Sequence, residues 1–198
     1  MHCASIWVGR DDCRSDPLLG TSVQPSLTSP KRTSLRATWT TRGFVETWRS
    51  GAEDMVAVDA NVLIHAADTT SVHYAATRRW LEEASAGPEI LGLPWLTILA
   101  FVRITTHPRV FPSPFTLDEA LASIDVWLSH PSVTIVDPTA RHAAIFAGLL
   151  RGAGMAGNLT NDAHIAALAI EHGARVASFD RDFGRFGVSV IVPGAAAG

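Results

Sequence analysis

The sequence predicts an α/β fold of three layers, in which a mostly parallel sheet of about five strands is flanked by helices. From residue 55 onward, short apolar segments of strand character alternate with longer helical segments, which favours parallel pairing. The strand segments are apolar almost throughout, as is typical of strands covered on both faces. With 198 residues, 47% of them apolar, the chain can bury the core of one ordinary domain.

Residues 1–54 differ in composition from the remainder of the chain. They hold 14 Ser and Thr, seven Lys and Arg against six Asp and Glu, and no sustained hydrophobic period. Such a segment buries too little apolar surface to offset its ordering entropy, so we expect a disordered N-terminal extension. The alternative is that translation starts at Met55 and that the extension is not part of the native protein. We expect the folded domain over residues 55–193 and a flexible tail over 194–198.

The first half of this domain predicts two strands and three helices. The run MVAVD is a short strand, and NVLIHAA is a short helix. A longer helix is expected from a cap at Ser71 to about Ala86, where Pro88 stops it. The strand EILGL follows, and Pro94 suits the first turn of the helix PWLTILAFVRITT. The apolar face of the helix capped by Ser71 is expected to comprise Val72, Ala75, Ala76 and Trp80.

The second half predicts three helices and three strands after a loop. The loop is HPRVFPSPF, which contains three prolines. The helix TLDEALASIDVWLS begins with a capping box formed by Thr116 and Glu119. The strand SVTIVD leads to the helices PTARHAAIFAGLLRGAG and TNDAHIAALAIEHG, and Gly173 stops the second of these. The segments ARVASFD and VSVIV are the last strands.

Four aspartates lie where apolar elements begin or end. Asp59 ends the first strand, Asp180 and Asp182 follow a later strand, and Asp162 lies near the start of a helix. Because ligands of open parallel sheets bind outside the carboxyl ends of the strands, we expect these side chains to converge there. Their mutual repulsion would raise some of their pKa values unless a cation neutralised them. Oxygen ligands alone suit Mg²⁺ or Mn²⁺ rather than Zn²⁺. Taken singly, each aspartate is also explained as a turn residue, a helix cap or a helix-dipole partner.

Several function classes are excluded or disfavoured by the composition. A receiver domain needs a lysine near a later strand end, and the only lysine is Lys31. A haloacid-dehalogenase phosphatase would have a second aspartate at Asn61, and no GxxxxGK[ST] loop occurs. No apolar run approaches the ~20 residues of a membrane span, so we expect no membrane association and a cytoplasmic location. Residues 55–198 carry nine Arg against 13 Asp and Glu, a net charge of −4, which disfavours tight non-specific RNA binding.

From Met55 to about Pro193 the chain resembles the PIN-domain family, and within it the VapC-type toxins of bacterial toxin–antitoxin pairs. The resemblance is carried by VDANVLIHA, FVRITTHPRVF, GNLTNDAHIAALAIEHG and VASFDRDFGRF, in this order and spacing. It implies a PIN-like fold and a Mg²⁺-dependent ribonuclease that hydrolyses RNA phosphodiester bonds. It also implies inhibition by a cognate antitoxin protein and a homodimeric state.

The resemblance assigns site residues position by position. Asp59, Asp162 and Asp180 match the catalytic, metal-binding acids of the family, and Asp182 matches an auxiliary metal ligand beside them. Asn61 falls where the family has a polar residue near the metal, and a simple helix-cap role is the alternative for it.

One departure from the family pattern concerns the third helix. Many members place a Glu near the position of Ala100, whereas this chain has no acid from Leu91 to Leu117. Whether one or two metal ions bind is therefore open. Arg103 and Arg109 are candidate contacts to RNA phosphates, with a plain surface role as the alternative for Arg103. The missing Glu also leaves a second hypothesis for function, a catalytically weakened PIN-like module that holds an antitoxin or RNA without cleavage.

Overall fold

A computed structural model describes residues 55–195 of the chain. The predictions for residues 1–54, and those for 196–198 of the tail, lie outside the described residues. The strands are β1 (Met55–Val58), β2 (Ile90–Pro94), β3 (Val133–Val136), β4 (Arg175–Ala177) and β5 (Val190–Ile191). The α-helices are α1 (Ala60–Ala67), α2 (Tyr74–Ala86), α3 (Trp95–Thr105), α4 (Leu117–Leu128), α5 (His142–Ala153) and α6 (Leu159–His172), and a 3₁₀-helix spans Arg181–Phe186.

The five strands form one sheet in the order β3-β2-β1-β4-β5, and every pairing is parallel. This confirms the α/β fold expected from the alternation of elements. The chain proceeds outward from β1 through β2 to β3, then returns to the other side of β1 to add β4 and β5. Strand order therefore reverses between β1 and β4, where Val58 pairs with Ala177. Open parallel sheets bind ligands at such a switch point, outside the carboxyl ends of the strands.

Two apolar clusters cover the two faces of the sheet. The larger contains Val58, Leu93 and Phe101, all fully buried, together with side chains from α1 to α4. The smaller contains Ala163 and Phe183 and lies beneath α6 and the 3₁₀-helix. Each fully buried Val, Leu or Phe side chain contributes about 1.5–3 kcal/mol relative to an exposed one, so these clusters supply most of the stability of the domain.

Helix α2 begins later than the sequence predicts. Its N-cap is His73, which makes no side-chain capping bond, and the Ser71 hydroxyl accepts the His73 N–H at 3.1 Å within the preceding turn. The expected apolar face is wrong at Val72, which is 92% exposed and lies before the helix, and at Ala75, which is exposed, whereas Trp80 is partly buried and packs against the larger cluster. The buried residues of α2 are Thr77, Leu81, Ala84 and Ser85.

The capping box of α4 is confirmed. The Glu119 N–H donates to the Thr116 hydroxyl at 3.2 Å, and the Thr116 N–H donates to the Glu119 carboxylate at 2.7 Å. Helix α5 begins at His142, four residues after Pro138, because Thr139 and His142 turn aside to bond Glu171 of α6. Within residues 55–195, no helix combines the length and apolar character that a membrane crossing requires.

Candidate metal and nucleic-acid site

Strand β1 delivers Asp59 to the switch point of the sheet. Its backbone N–H donates to the Ala177 carbonyl at 3.0 Å, which continues the pairing of β1 with β4. Its side chain caps α1, since Oδ1 accepts the Ala60 N–H at 2.6 Å. Oδ2 accepts the hydroxyl of Ser178 at 2.7 Å. Both carboxylate oxygens are therefore held in place before any ligand binds.

Ser178, which follows β4 and is fully buried, connects the polar groups at the switch point. Its Oγ donates to Asp59 and accepts from Asn61 Nδ2 and from the Asp180 N–H, both at 2.9 Å. A hydroxyl has one donor and two acceptor positions, so its bonding capacity is full. The sequence analysis missed this residue. The available signal was a polar side chain inside the otherwise apolar run ARVASFD.

Asn61 lies in the first turn of α1 but does not cap it. Asp59 occupies the N-cap, so the helix-cap alternative for Asn61 is wrong. The Asn61 amide instead reaches β4, donating to Ser178 and accepting the Phe179 N–H at 3.2 Å. These two bonds fix the backbone that carries Asp180.

Asp180 and Asp182 lie on the turn that enters the 3₁₀-helix. Asp180 is exposed and caps this helix by accepting the Asp182 N–H at 2.8 Å. Asp182 in turn accepts the Nε of Arg185 at 2.8 Å. The turn role that the sequence left open for Asp180 is thus present, and this bond occupies only Oδ1 of its carboxylate.

Asp162 lies in the first turn of α6 and faces a cleft of about 480 Å³. The same cleft, here called the acidic cleft, is lined by Asp59, Asn61, Ala100 and Arg103, with an apolar wall from α3. Burial raises the pKa of Asp162 to about 6, and the negative charges of Asp180, Asp59 and Asp182 add to the rise. Burial also raises the pKa of Asp59, against the hydrogen bonds from Ser178 and Ala60, and Asp180 adds to it. The predicted acids are therefore near enough to repel one another.

A second recess adjoins the acidic cleft. It measures about 530 Å³ and is lined by Asn61, His65, Phe179, Asp180, Arg181 and Asp182, and we call it the aromatic groove. Asn61 lines both recesses. The four predicted acids therefore divide into two pairs, Asp59 with Asp162 in the cleft and Asp180 with Asp182 in the groove.

The donor set at the switch point consists of carboxylate, amide and hydroxyl oxygens, which is the chemistry that Mg²⁺ and Mn²⁺ prefer. No group of three or more His, Cys, Asp or Glu side chains within residues 55–195 is arranged to hold a metal ion by itself. Mg²⁺ dehydrates reluctantly and is usually held by one or two carboxylates together with waters and substrate phosphates. The residues present thus fit a hydrated Mg²⁺ ion better than one enclosed by protein ligands.

The two arginines that are candidate contacts to RNA phosphates lie in different parts of the structure. Arg103 is exposed and lines the acidic cleft, one turn along α3 from Ala100. Arg109 is exposed in the loop after α3, where its backbone N–H bonds the ring of His107, and it does not line the cleft. The structure therefore brings Arg103, but not Arg109, to the acids. Ala100 leaves open space where the resemblance expects a Glu.

A polar network, which the sequence analysis also missed, fixes the helix that carries Asp162. Glu171 accepts from Thr139 and His142, and the second ring nitrogen of His142 bonds His164 at 2.9 Å. Burial alone would raise the pKa of Glu171, but the bonds from Thr139 and His142 lower it below the ordinary value. Burial and the neighbouring His142 lower the pKa of His164. This network joins α5 to α6 and places His164 in a structural role.

Residues 56–188 match the family model of the PIN domain. The match spans the parallel sheet from β1 to β4 and the acids that β1, α6 and β4 bring to one rim. The chain therefore belongs to the PIN-domain family.

The curated relatives specify the class further. The chain is 48% identical over 132 residues to ribonuclease VapC37 of Mycobacterium tuberculosis, covering 67% of this chain and 92% of that protein. It is 35% identical over the same length to ribonuclease VapC33 of M. tuberculosis, covering 67% and 92%. The protein is accordingly a nuclease of the VapC type, as the sequence predicts, and the alternative of a binding module without cleavage is not favoured.

Solved structures agree on the fold. VapBC2 from Rickettsia felis, bound to a promoter DNA fragment, matches with a TM-score of 0.52 at 17% identity, over 69% of this chain and 97% of that one. The sarcin–ricin-loop-cleaving toxin VapC20 of M. tuberculosis matches with a TM-score of 0.52 at 16% identity, over 67% and 95%. At such identities the likeness concerns the fold alone.

Proposed function

We propose that the protein is a Mg²⁺-dependent ribonuclease whose hydrated cation is held by Asp59, Asp162 and Asp180, in part through bound waters, with Asp182 as an auxiliary ligand. Mn²⁺ is expected to substitute for Mg²⁺ because it accepts the same oxygen ligands. The single observation that carries the proposal is electrostatic. At the switch point, burial and the charges of neighbouring carboxylates raise the pKa of Asp162, and burial together with the charge of Asp180 raises that of Asp59, which indicates a site suited to a bound cation.

The chain's own contribution is to position these acids before substrate arrives. Asp59 is held at both oxygens, by Ala60 and by Ser178, and Asp180 is oriented through its bond from the Asp182 N–H. Such fixed groups need no reorganisation when the reaction occurs. Bound Mg²⁺ would supply charge neutralisation, polarisation of the phosphodiester and a more acidic attacking water. No side chain of this site is required to act as a covalent nucleophile.

The substrate proposed is single-stranded or looped RNA, whose backbone can enter a narrow cleft. Arg103 stands at the edge of the acidic cleft and is placed to contact a phosphate. Arg109 lies further along the loop and would contact RNA only outside the cleft. The space beside Ala100 favours a single ion, since a second ion would lack the carboxylate that other members place there.

The decisive experiment replaces Asp59 by Asn in the full chain and measures cleavage of a labelled RNA in Mg²⁺. Loss of even an indirect metal-site partner typically costs 10- to 100-fold, so we expect activity to fall by at least about 100-fold. Asp125→Asn is the matched control and should cleave normally, because Asp125 is an exposed carboxylate on α4 that lines neither recess. Cleavage by Asp59→Asn at the control rate would contradict the metal assignment.

A cognate antitoxin is the proposed protein partner. The solved neighbours include toxin–antitoxin complexes such as VapBC2 and FitAB. In this chain, Leu96, Leu99 and Ile104 form an apolar wall beside the acids, and Trp95 is 52% exposed nearby. An antitoxin segment with an apolar face and a cationic side chain would complement such a surface. We expect the purified antitoxin to inhibit RNA cleavage. We also expect Leu99→Asp to weaken this inhibition.

A homodimer is the proposed assembly. Helix α5 has an apolar composition, yet none of its residues is fully buried within the described chain, so its outer side is available to a second copy. Light scattering after size-exclusion chromatography should give twice the mass of 21.2 kDa. Because the proposed substrate is cellular RNA, a cytoplasmic location is part of the same proposal.

A further inference from the structure

Three aromatic rings gather beside the aromatic groove, outside the group of proposed metal ligands. His65 lies on α1, His73 precedes α2 and Phe179 follows β4. The ring centroids of His73 and Phe179 are 4.4 Å apart at an interplanar angle of 33°. His65 meets both other rings edge-on, at 5.0 Å from each. None of these rings takes part in the mechanism proposed above.

Hydrogen bonds tie together the segments that carry these rings. The Ser71 hydroxyl bonds the Nδ1 of His65 at 2.8 Å and accepts the backbone N–H of His73 at 3.1 Å, so one side chain holds the ring of His65 and the backbone of His73. The backbone N–H of Phe179 donates to Asn61, which ties the third ring to the residue shared by the cleft and the groove. A stacked ligand would therefore lose little affinity to ordering of the protein.

The rings are also accessible. His73 is exposed, whereas His65 and Phe179 are half-buried. His73 is tilted by 33° against Phe179 and is the exposed member of the cluster, so its ring is the one accessible to a further planar group. Arg181 lines the same groove and is exposed, and its guanidinium makes no ion pair or hydrogen bond within the described residues.

We propose that His73, supported by Phe179 and His65, forms a stacking subsite for one nucleobase of single-stranded RNA, and that Arg181 contacts the adjoining phosphate. This proposal rests on the ribonuclease function and on a metal site at the switch point. Aromatic faces stack on every base, so the subsite would hold the nucleotide next to the scissile phosphate without selecting its sequence. The acidic floor formed by Asp180 and Asp182 favours an uncharged base over the rings and leaves the phosphate to Arg181.

The continuity of the two recesses supports this arrangement. Asn61 lines both of them, with Asp59 and Asp162 on one side and the rings of His65 and Phe179, which His73 contacts, on the other. An RNA strand that passes its scissile phosphate over Asn61 would place one neighbouring nucleotide toward Arg103 and the other toward His73. The two nucleotides that flank the cleaved bond would then be held differently, one by Arg103 and the other by stacking on His73.

The test measures binding rather than cleavage, so that it does not depend on the metal assignment. Affinity of the full chain for a fluorescent single-stranded RNA is measured in EDTA, with and without one abasic nucleotide placed at successive positions. Because His73→Ala removes one base–aromatic stacking contact, this variant should bind the RNA about 5- to 150-fold more weakly than the native chain does. His73→Tyr should retain the affinity of the native chain, because a planar ring is restored.

The abasic RNA provides the discriminating result. At one position the missing base should weaken binding to the native chain, and His73→Ala should then cause little further loss. His130→Ala, a change at the opposite edge of the sheet just before β3, is the control and should bind normally. Unchanged affinity in His73→Ala, or an equal loss with intact and abasic RNA at every position, would overturn the subsite. If Asp59→Asn still cleaves RNA, the metal assignment fails instead, and these binding results stand separately.

Discussion

The interior of the sheet and its acidic rim are built from the same strands, but burial stabilises the interior and destabilises the charged groups of the rim. Val58 and Ala177 are fully buried and paired in register, while the next residues along each strand are Asp59 and Ser178. Within one residue the chain passes from side chains that gain stability by burial to a carboxylate whose pKa is raised by it. The rim is the less stable arrangement, and it persists because the interior beneath it is well packed.

This contrast indicates where stability and function lie in the molecule. Groups that repel one another in the folded state lower its stability unless a ligand neutralises them. Sites of this kind are common where function demands an arrangement that folding alone would not favour. Substitutions in the interior should therefore weaken the fold, whereas neutral substitutions at the rim should strengthen the metal-free fold.

The largest effect is expected from Phe101→Ala. Phe101 is fully buried and packs edge-on against Trp127, with ring centroids 4.7 Å apart, and against Phe115 at 6.2 Å. Removing this ring should lower the free energy of unfolding by about 3–5 kcal/mol, measured by urea titration of the full chain. Leu99→Ala, on the same helix but 62% exposed, should change it by less than about 0.5 kcal/mol. Equal losses for the two variants would contradict the assignment of this core.

The fold could be predicted from the sequence because its signals are local and repeated. Apolar strands alternating with helices require parallel pairing, and Thr116 with Glu119 marks the start of α4 within four residues. The errors arise where a tertiary contact overrides such a signal. Ser71 looks like a helix cap, but its hydroxyl bonds His65, and the helix begins three residues later.

The candidate site was only partly accessible from the sequence. Asp59 and Asp180 follow strand ends and Asp162 lies near the start of a helix, so their common edge could be inferred without knowing the strand order. The role of Ser178 depends on β4 lying beside β1, a pairing of residues 119 positions apart that no local pattern specifies. The ring cluster likewise joins His73 to Phe179 across more than a hundred residues. Contacts of this range become visible only once the strand order is known.

A substitution that adds negative charge to the rim should increase its affinity for a cation. Ala100→Glu adds a third carboxylate to the acidic cleft, beside Asp59 and Asp162, where ligand charge is a main determinant of cation affinity. We expect Mg²⁺ to bind about tenfold more tightly by calorimetry, which corresponds to about 1.4 kcal/mol. Ala100→Gln has nearly the same shape without the charge and should bind Mg²⁺ as the native chain does. An equal gain in both variants would place the effect in packing and not in the metal site.

The smallest effect, and the most direct test of repulsion at the rim, is expected from Asp162→Asn. The folded-state pKa of Asp162 is raised from 3.8 to about 6, so the folded protein binds this proton more tightly than the unfolded chain does. The carboxylate therefore destabilises the fold progressively as pH rises from about 4 to 6, and fully above that. Because the side chain is partly exposed, solvent screening limits the penalty to about 1 kcal/mol.

In EDTA, the melting temperature of Asp162→Asn should therefore equal that of the native chain at pH 4 and exceed it at pH 7. Adding Mg²⁺ at pH 7 should reverse this order, since the cation stabilises only a folded state that binds it. The control Asp125→Asn, on the outer side of α4, should follow the native chain under all three conditions. A gain for Asp162→Asn that persists in Mg²⁺ would mean that the rim repels itself without serving as a cation site. Reversal by Mg²⁺ would instead tie the instability of the rim directly to the ion it is proposed to bind.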